Sequence, residues 1–391
     1  MWIIDQSIRN LVHRIDKGEE PLDLLLTRLI AKLQKRCSHP KVTARYAKYG
    51  QPENLTSHAK ASAAIAAVGS GQCATIKLPL DQDGYVIGFD PLTQEKEFVD
   101  SWNRYGIVVG ANVASTAQCQ DVIARMHELL LALSDGTCDL KQPATWTNIP
   151  VDQADVPIIS RGFFEIYHDQ VIAAIRQSVR VYLHYVLIWG RADLWTTFDR
   201  LGIKLPGLPD GKALPLHVDQ NPNVHPDFRT VQGVLALADC PRERGTFVGV
   251  PGSRNSFSAY GSMAKNQGEY VELDLGHAVA SQFTAEAQIC PLRAGHLISW
   301  DSRTTHANSS NVSNQTRTVA YIAFGPQRQS DQSACQARQE AFDSGLGSNV
   351  REALMHASKR PRFTNQTRLA ALRRSEKLTK LGRLIYGQEK Y

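Results

Sequence analysis

His217 and Asp219 stand two apart in the run from Leu214 to Gln220, which reads Leu-Pro-Leu-His-Val-Asp-Gln. In an extended strand, side chains two apart leave the same face, so an imidazole nitrogen and a carboxylate oxygen can be aimed at one point. A third ligand must come from elsewhere. His306, in the run Ser302 to Ser310, lies near the end of a strand-rich stretch and can supply it. Two imidazoles and a carboxylate on one face of an octahedron select iron(II) and leave positions open for a chelating cosubstrate and dioxygen. Eleven residues after His306, Arg317 opens the apolar run that ends at Phe324. Its planar two-donor fork suits the distal carboxylate of 2-oxoglutarate, which a lysine would bind less directionally.

An H-x-D pair arises by chance in a chain this long, so its weight comes from its surroundings. Gln232, on the next apolar run, can donate to a cosubstrate or substrate. Arg200 and Lys204 precede the H-x-D run and, being four apart, share a face of an extended strand. They are candidate substrate-binding cations, against the alternative of a charge pair on the barrel exterior. Trp195 is a candidate substrate contact, although it and Trp300 are large aromatics of the kind that usually bury. His225 and His296 read as loop and core histidines rather than ligands.

These residues need a scaffold, and the pattern past Gly190 supplies one. Leu194 to Leu205, Leu214 to Asp219, Thr230 to Ala238, Thr246 to Val250, His296 to Trp300 and Arg317 to Phe324 are short apolar runs separated by Gly, Pro, Asn and Asp. Each has strand length, and many short strands closed on themselves make a barrel or jelly roll. Upstream, the spacing predicts helices over Ile3 to Lys35, Ser57 to Val68, Glu95 to Tyr105, Ser115 to Leu133 and Phe163 to about Ile188, with a strand at Gly106 to Gly110.

Bulk properties remove several alternatives. At 391 residues, 42% hydrophobic and 21% charged, the chain can bury a large core, and its Gly and Pro form no low-complexity block. No run approaches the roughly 20 apolar residues of a membrane span, and the first residues carry no leader pattern, so a cytoplasmic location is expected. Seven cysteines without a C-x-x-C pair argue for reduced, buried thiols and against a zinc knuckle. The net charge of +6 is concentrated at the end: residues 351–391 hold eleven Lys and Arg against three Glu. Leucines at 369, 372, 378 and 381 give this tail an apolar stripe, so Arg351 to Lys390 reads as a basic amphipathic helix docked on the core. A nucleic-acid or membrane patch is the less favoured reading, because the stripe needs a partner surface.

Four pieces, in order, resemble the phytanoyl-CoA dioxygenase branch of the iron(II)/2-oxoglutarate oxygenases. They are Pro215 to Gln220; Val231 to Asp239 with Arg244-Gly245 and Val250 to Ser253; Ala294 to Trp300; and His306 to Asn311 with Arg317. The likeness covers about residues 190–326. It implies a double-stranded β-helix (jelly roll, cupin-like); with the helical N- and C-terminal additions, which that core does not explain, the expected class is α+β with a mainly β core. The expected segments are 1–95 as a helical extension, 96–330 as the oxygenase domain and 331–391 as a basic helical extension.

By the same resemblance, His217, Asp219 and His306 ligate iron(II), Arg317 salt-bridges 2-oxoglutarate, and dioxygen is the oxidant. Related halogenases carry a small residue where this chain has Asp219, so the carboxylate disfavours halogenation. The expected outcome is hydroxylation of an unactivated C–H of a small organic substrate, with release of succinate and CO2; the excess of cations is compatible with a phosphate or carboxylate on it. Desaturation or cyclisation would follow from other substrate placement. Two further readings stay open: a binding or regulatory protein that has lost turnover, and a cupin-like metalloenzyme that needs no cosubstrate and no Arg317. The chain departs from the family at Arg254, where Pro-Gly-Ser is usually followed by His.

Overall fold

The computed structural model describes residues 1–49, 76–151, 157–159, 162–207, 214–265, 268, 270–348, 357–359 and 366–391. The helix expected over Ser57 to Val68, and Cys73, lie outside them.

Alternation with a period of two builds the centre of the molecule. Six strands, β1 (Ile107–Gly110), β2 (Phe163–Phe164), β4 (Leu201–Lys204), β6 (Val231–Ala236), β10 (Leu297–Asp301) and β12 (Arg317–Tyr321), pair antiparallel in the order β1-β10-β6-β12-β4-β2. Val108, Leu201, Ile203, Val231, Leu235, Leu297 and Ala320 leave one face and pack against helices. Their neighbours Ile107, Val109, Val234, Ala236, Ile298, Trp300 and Val319 leave the other face. That second face meets an antiparallel sheet of five strands, β5 (His217–Val218), β7 (Phe247–Gly249), β8 (Val271–Glu272), β9 (Gln288–Cys290) and β11 (His306–Asn308), ordered β8-β5-β11-β7-β9. Phe247 and Cys290 of this smaller sheet join the same apolar cluster, so the two sheets close on each other.

Helices cover the outer face of the larger sheet. They include α1 (Gln6–Lys17), α2 (Leu22–Cys37), α3 (Pro40–Tyr49), α4 (Glu95–Tyr105), α5 (Thr116–Leu133), α6 (Gln170–Arg176) and α7 (Val179–Trp189). Later in the chain come α8 (Ala280–Glu286), α9 (Gln332–Asp343), α10 (Gln366–Leu372) and α11 (Lys380–Ile385). One apolar cluster runs from Ile3 to Tyr386 and draws on both ends of the chain. In α7, every residue from Val181 to Ile188 is buried. No single described helix is long and apolar enough to cross a membrane; α6 and α7 approach the composition only as a pair bent by 47°.

Several expected elements are divided by local chemistry. Instead of one helix from Phe163, the chain forms β2 and then α6, whose start is fixed by the Asp169 carboxylate accepting from Val171 N. The runs Leu194 to Leu205 and Arg317 to Phe324 each break in two. Thr197 N donates to Ala323 O at 2.8 Å and Ala323 N to the Thr197 hydroxyl at 3.2 Å. Beyond that paired break, β3 (Leu194–Thr196) and β13 (Phe324–Pro326) form a separate ribbon. The N-terminal helix is interrupted at Gly18, which takes a left-handed conformation. Of the basic helix expected over Arg351 to Lys390, residues 351–356 and 360–365 lie outside the described residues; among those described there are two short helices, and Leu381, Leu384 and Ile385 of α11 enter the core. Three described cations of this tail face acids: Arg373 pairs with Glu376, Arg374 with Glu128, Arg383 with Asp23 and Glu389.

Gly233 shows how tightly the helical layer meets the larger sheet. A Cβ there would lie 2.2 Å from the Tyr185 hydroxyl and 2.4 Å from Ile322 O. The position sits at the centre of β6, between Gln232 and Val234, so relief would require moving the strand. Gly233→Ala is expected to cost about 1–3 kcal/mol through overpacking, read as a lower midpoint of urea unfolding with an unchanged slope.

Candidate metal centre

His217 and His306 are directly paired across antiparallel strands β5 and β11, and their ring centroids lie 4.3 Å apart. Asp219 follows one residue after β5. Its Oδ2 is 3.9 Å from His217 Nε2 and 3.4 Å from His306 Nε2, and the three ligand atoms fall within 4.8 Å of one another. The opposite ring nitrogens face backbone carbonyls: His217 Nδ1 lies 2.7 Å from Pro215 O and His306 Nδ1 lies 2.9 Å from Thr304 O. A carbonyl only accepts, so each Nδ1 carries the proton and each Nε2 presents a lone pair to the shared point. Gln232 Nε2 donates to Asp219 Oδ2 at 2.8 Å. The amide expected to serve a cosubstrate or substrate therefore orients the carboxylate in this structure.

The cluster opens into a cavity of about 380 Å³ between the sheets, lined also by Gln232, Trp300, Arg317 and Tyr321. Arg317 is 2% exposed, and its Nε and Nη1 have no hydrogen-bond partner among the described residues. Burying a guanidinium without partners is costly, and this one lines the cavity, so its positive charge suits an anion entering there. Burial pushes the neighbouring Cys240 thiol up, which keeps it neutral beside that charge.

The remaining expected site residues separate. Arg200 lines the cavity, with Nε on Asp199 Oδ1 at 3.1 Å, Nη1 on Glu165 Oε1 at 3.3 Å and its plane 4.6 Å from the Phe163 ring. Lys204 pairs with Arg317 across β4 and β12, but its ammonium donates to Asn308 Oδ1 at 2.8 Å and Ser309 O at 3.1 Å. It ties one sheet to the other and does not line the cavity. Trp195 also lies elsewhere: fully buried on β3, it packs with Ala334 under the Arg338 guanidinium, 4.8 Å from the ring centroid. Its strand belongs to the small ribbon, which turns it away from the cavity. His225 is half-buried in a loop, and His296 is buried at the start of β10.

Other cavity residues escaped the sequence reading. Tyr321 was legible, because it lies four residues after Arg317 on one strand face; Trp300 pairs with Gln232 in register and stacks beside His306 at 5.1 Å. Phe163, assigned to a helix, and Tyr270, 4.7 Å from His217, gave no periodic signal. Nor did Asp301, which has no exposure. It holds Arg303 Nη2 at 2.8 Å and Arg254 Nη1 at 3.5 Å, across the turn that carries the chain from β10 to His306. Arg254 is the departure from the family pattern, and here it serves as the second cation on that carboxylate.

The family model for phytanoyl-CoA dioxygenase matches residues 102–319, a span that contains His217, Asp219, His306 and Arg317. Ava biosynthesis cluster protein O of Aspergillus versicolor is 24% identical over 280 residues, covering 68% of this chain and 89% of that protein. Among solved structures, a hypothetical protein from Escherichia coli determined at high pH matches with a TM-score of 0.54 at 15% identity, over 97% of this chain and 96% of that one. A protein from Salmonella typhimurium LT2 matches over the same shares with a TM-score of 0.50 and 15% identity. These two likenesses concern the fold, and they extend over the terminal helices as well as the sheets.

Burial alone would raise the Asp301 carboxyl, but the Arg303 and Arg254 guanidiniums and their hydrogen bonds outweigh it and hold the group below its ordinary value. A depressed folded pKa contributes stability that is present above the unfolded value, near 4, and is lost as pH falls through the folded one. Asp301→Asn is therefore expected to cost about 3–5 kcal/mol at neutral pH by leaving two buried guanidiniums without their carboxylate. The difference between wild type and variant, followed by denaturant unfolding, should shrink steadily below about pH 4.

Proposed function

The chain belongs to the phytanoyl-CoA dioxygenase family, and on that premise we propose that it hydroxylates an unactivated C–H bond of a small organic substrate as an iron(II)/2-oxoglutarate oxygenase. Iron(II), 2-oxoglutarate and dioxygen are the cofactors of this chemistry. The observation that carries the reading is the convergence of two imidazole nitrogens, one carboxylate oxygen and the buried Arg317 guanidinium on a single cavity. We read the fold as a double-stranded β-helix, since β4, β6, β10 and β12 lie in one sheet while β5, β7 and β11 lie in the other. The chain thus crosses between the sheets repeatedly.

His217 Nε2, His306 Nε2 and Asp219 Oδ2 would hold the metal. Bound iron(II) with 2-oxoglutarate supplies dioxygen activation coupled to decarboxylation, with succinate and CO2 as products. The Pro215 and Thr304 carbonyls keep each imidazole in the tautomer that can ligate, and Gln232 keeps the carboxylate turned inward. Arg317 would receive the cosubstrate's distal carboxylate along one edge of its guanidinium, fixing its orientation by a two-point contact. Phe247 and Trp300, packed 4.4 Å apart beside His306, exclude water from that side. Asp219 supports hydroxylation over halogenation, because its carboxylate occupies the position a halide would need.

Anaerobic addition of 2-oxoglutarate to the iron(II)-loaded chain should produce a weak visible absorption band, and admission of air should yield succinate. Arg317→Leu is expected to weaken 2-oxoglutarate at least about thirtyfold, the cost of removing one partner from a buried charged pair. Activity left intact in that variant would favour a metalloenzyme without cosubstrate; a chain that yields no succinate, even slowly and without substrate, would favour a protein without turnover.

A further inference from the structure

Resting on the reading of this cavity as an oxygenase active site, its wall beside β4 contains a polar pair that the metal and cosubstrate leave unused. Arg200 commits Nε to Asp199 Oδ1 and Nη1 to Glu165 Oε1. Asp199 Oδ1 also accepts from Arg200 N at 2.8 Å. Among the described residues, Arg200 Nη2 and Asp199 Oδ2 have no hydrogen-bond partner, and neither atom is sealed from the cavity that both residues line. Nη2 shares the Nε edge of the guanidinium, so the two uncommitted atoms sit beside the Nε–Oδ1 contact, one a donor and one an acceptor.

The pair is rigid. Asp199 O accepts from the fully buried Arg176 at 2.5 Å, Arg200 O accepts from Tyr321 N at 3.0 Å, and the guanidinium lies over Phe163. Its charge is also accounted for. One guanidinium meets two carboxylates, Asp199 and Glu165, which are 6% and 7% exposed. Lys204 is engaged with Asn308 and Ser309, and Arg317 is the cosubstrate's partner. An anion reaching Nη2 would also meet Asp199 Oδ2, and a cation reaching Oδ2 would meet Arg200. A neutral group with adjacent N–H and C=O satisfies both atoms without net charge.

We propose that Asp199 and Arg200 are the substrate-orienting pair of this enzyme and that they take a neutral substrate carrying a secondary amide or lactam. This replaces the anionic substrate allowed by the sequence, because among the described residues the cavity offers no cation that is not already opposed by a carboxylate or taken by the cosubstrate.

The test titrates the full chain with three probes of similar size, 2-piperidone, cyclohexylammonium and cyclohexanecarboxylate, by ligand-observed NMR. Each titration is run with and without Zn(II) plus 2-oxoglutarate. The lactam should bind at least about tenfold tighter than either ion, the scale of one hydrogen bond to a charged group. Asp199→Asn keeps an oxygen for Arg200 but turns an amide donor toward the cavity, so it should weaken the lactam about tenfold with little change in the thermal melt. Should that variant fail to fold, Arg200→Met, which removes the donor, is read the same way. Tighter binding of either ion, no binding of the lactam, or an unchanged lactam affinity in a folded variant would overturn the proposal. Failure of wild type to bind 2-oxoglutarate would instead count against the oxygenase reading, while the lactam titration in its absence still reports on the pair.

Discussion

The position of His306 depends on a carboxylate that touches no solvent. Asp301 ends β10 in the larger sheet, and five residues later the chain must present an imidazole from the smaller sheet, opposite His217. Asp301 enforces that crossing by gripping Arg303 within the turn and Arg254 from the segment after β7. Asp301 N also donates to Gly106 O, and Thr304 N to Asp301 O. An apolar residue at 301 could pack there, but it would not define which way the turn leaves the sheet. Charge complementarity supplies that direction, at the expense of desolvating three ionised groups.

From that turn the remaining geometry follows by register. Once His306 is opposite His217, the period-two rule places Asp219 on the same side, and the pairing of β12 with β4 and β6 brings Arg317 over the cluster. The backbone carbonyls of Pro215 and Thr304 complete the arrangement by selecting one tautomer of each histidine. Lys204 and Asn308 add a cross-tie at one end, which keeps the sheets from sliding.

Much of this was legible in the residues. His217 and Asp219 carried a spacing that alternation interprets, His306 and Arg317 drew their reading from the surrounding runs and the family resemblance, and the core strands showed themselves as apolar runs between turn residues. What stayed hidden depended on partners distant in sequence. Trp195 and Tyr321 look alike as strand aromatics; only the break at Thr197 and Ala323, which puts Trp195 on a separate ribbon, sorts one to the interior and the other to the cavity. Phe163 stands where a helix was expected to begin, and its pairing with Gly202 makes it a strand instead. Lys204 had the right face but the wrong occupation, since nothing local announced that Asn308 would accept from it. Nor does the sequence announce that Arg374 and Arg383 of the basic tail would meet Glu128 and Asp23, more than two hundred residues away in the chain.

The larger sheet divides two duties between the faces of the same strands. On β6, Val231 and Leu235 hold the helices while Gln232 and Val234 line the cavity; on β12, Ala320 serves the first surface and Arg317 and Tyr321 the second. Odd and even positions therefore answer to different selective pressures. A lineage could exchange the inward set to accept a new molecule while the outward set preserved the barrel, and a saturation scan along β6 or β12 would separate the two by parity alone.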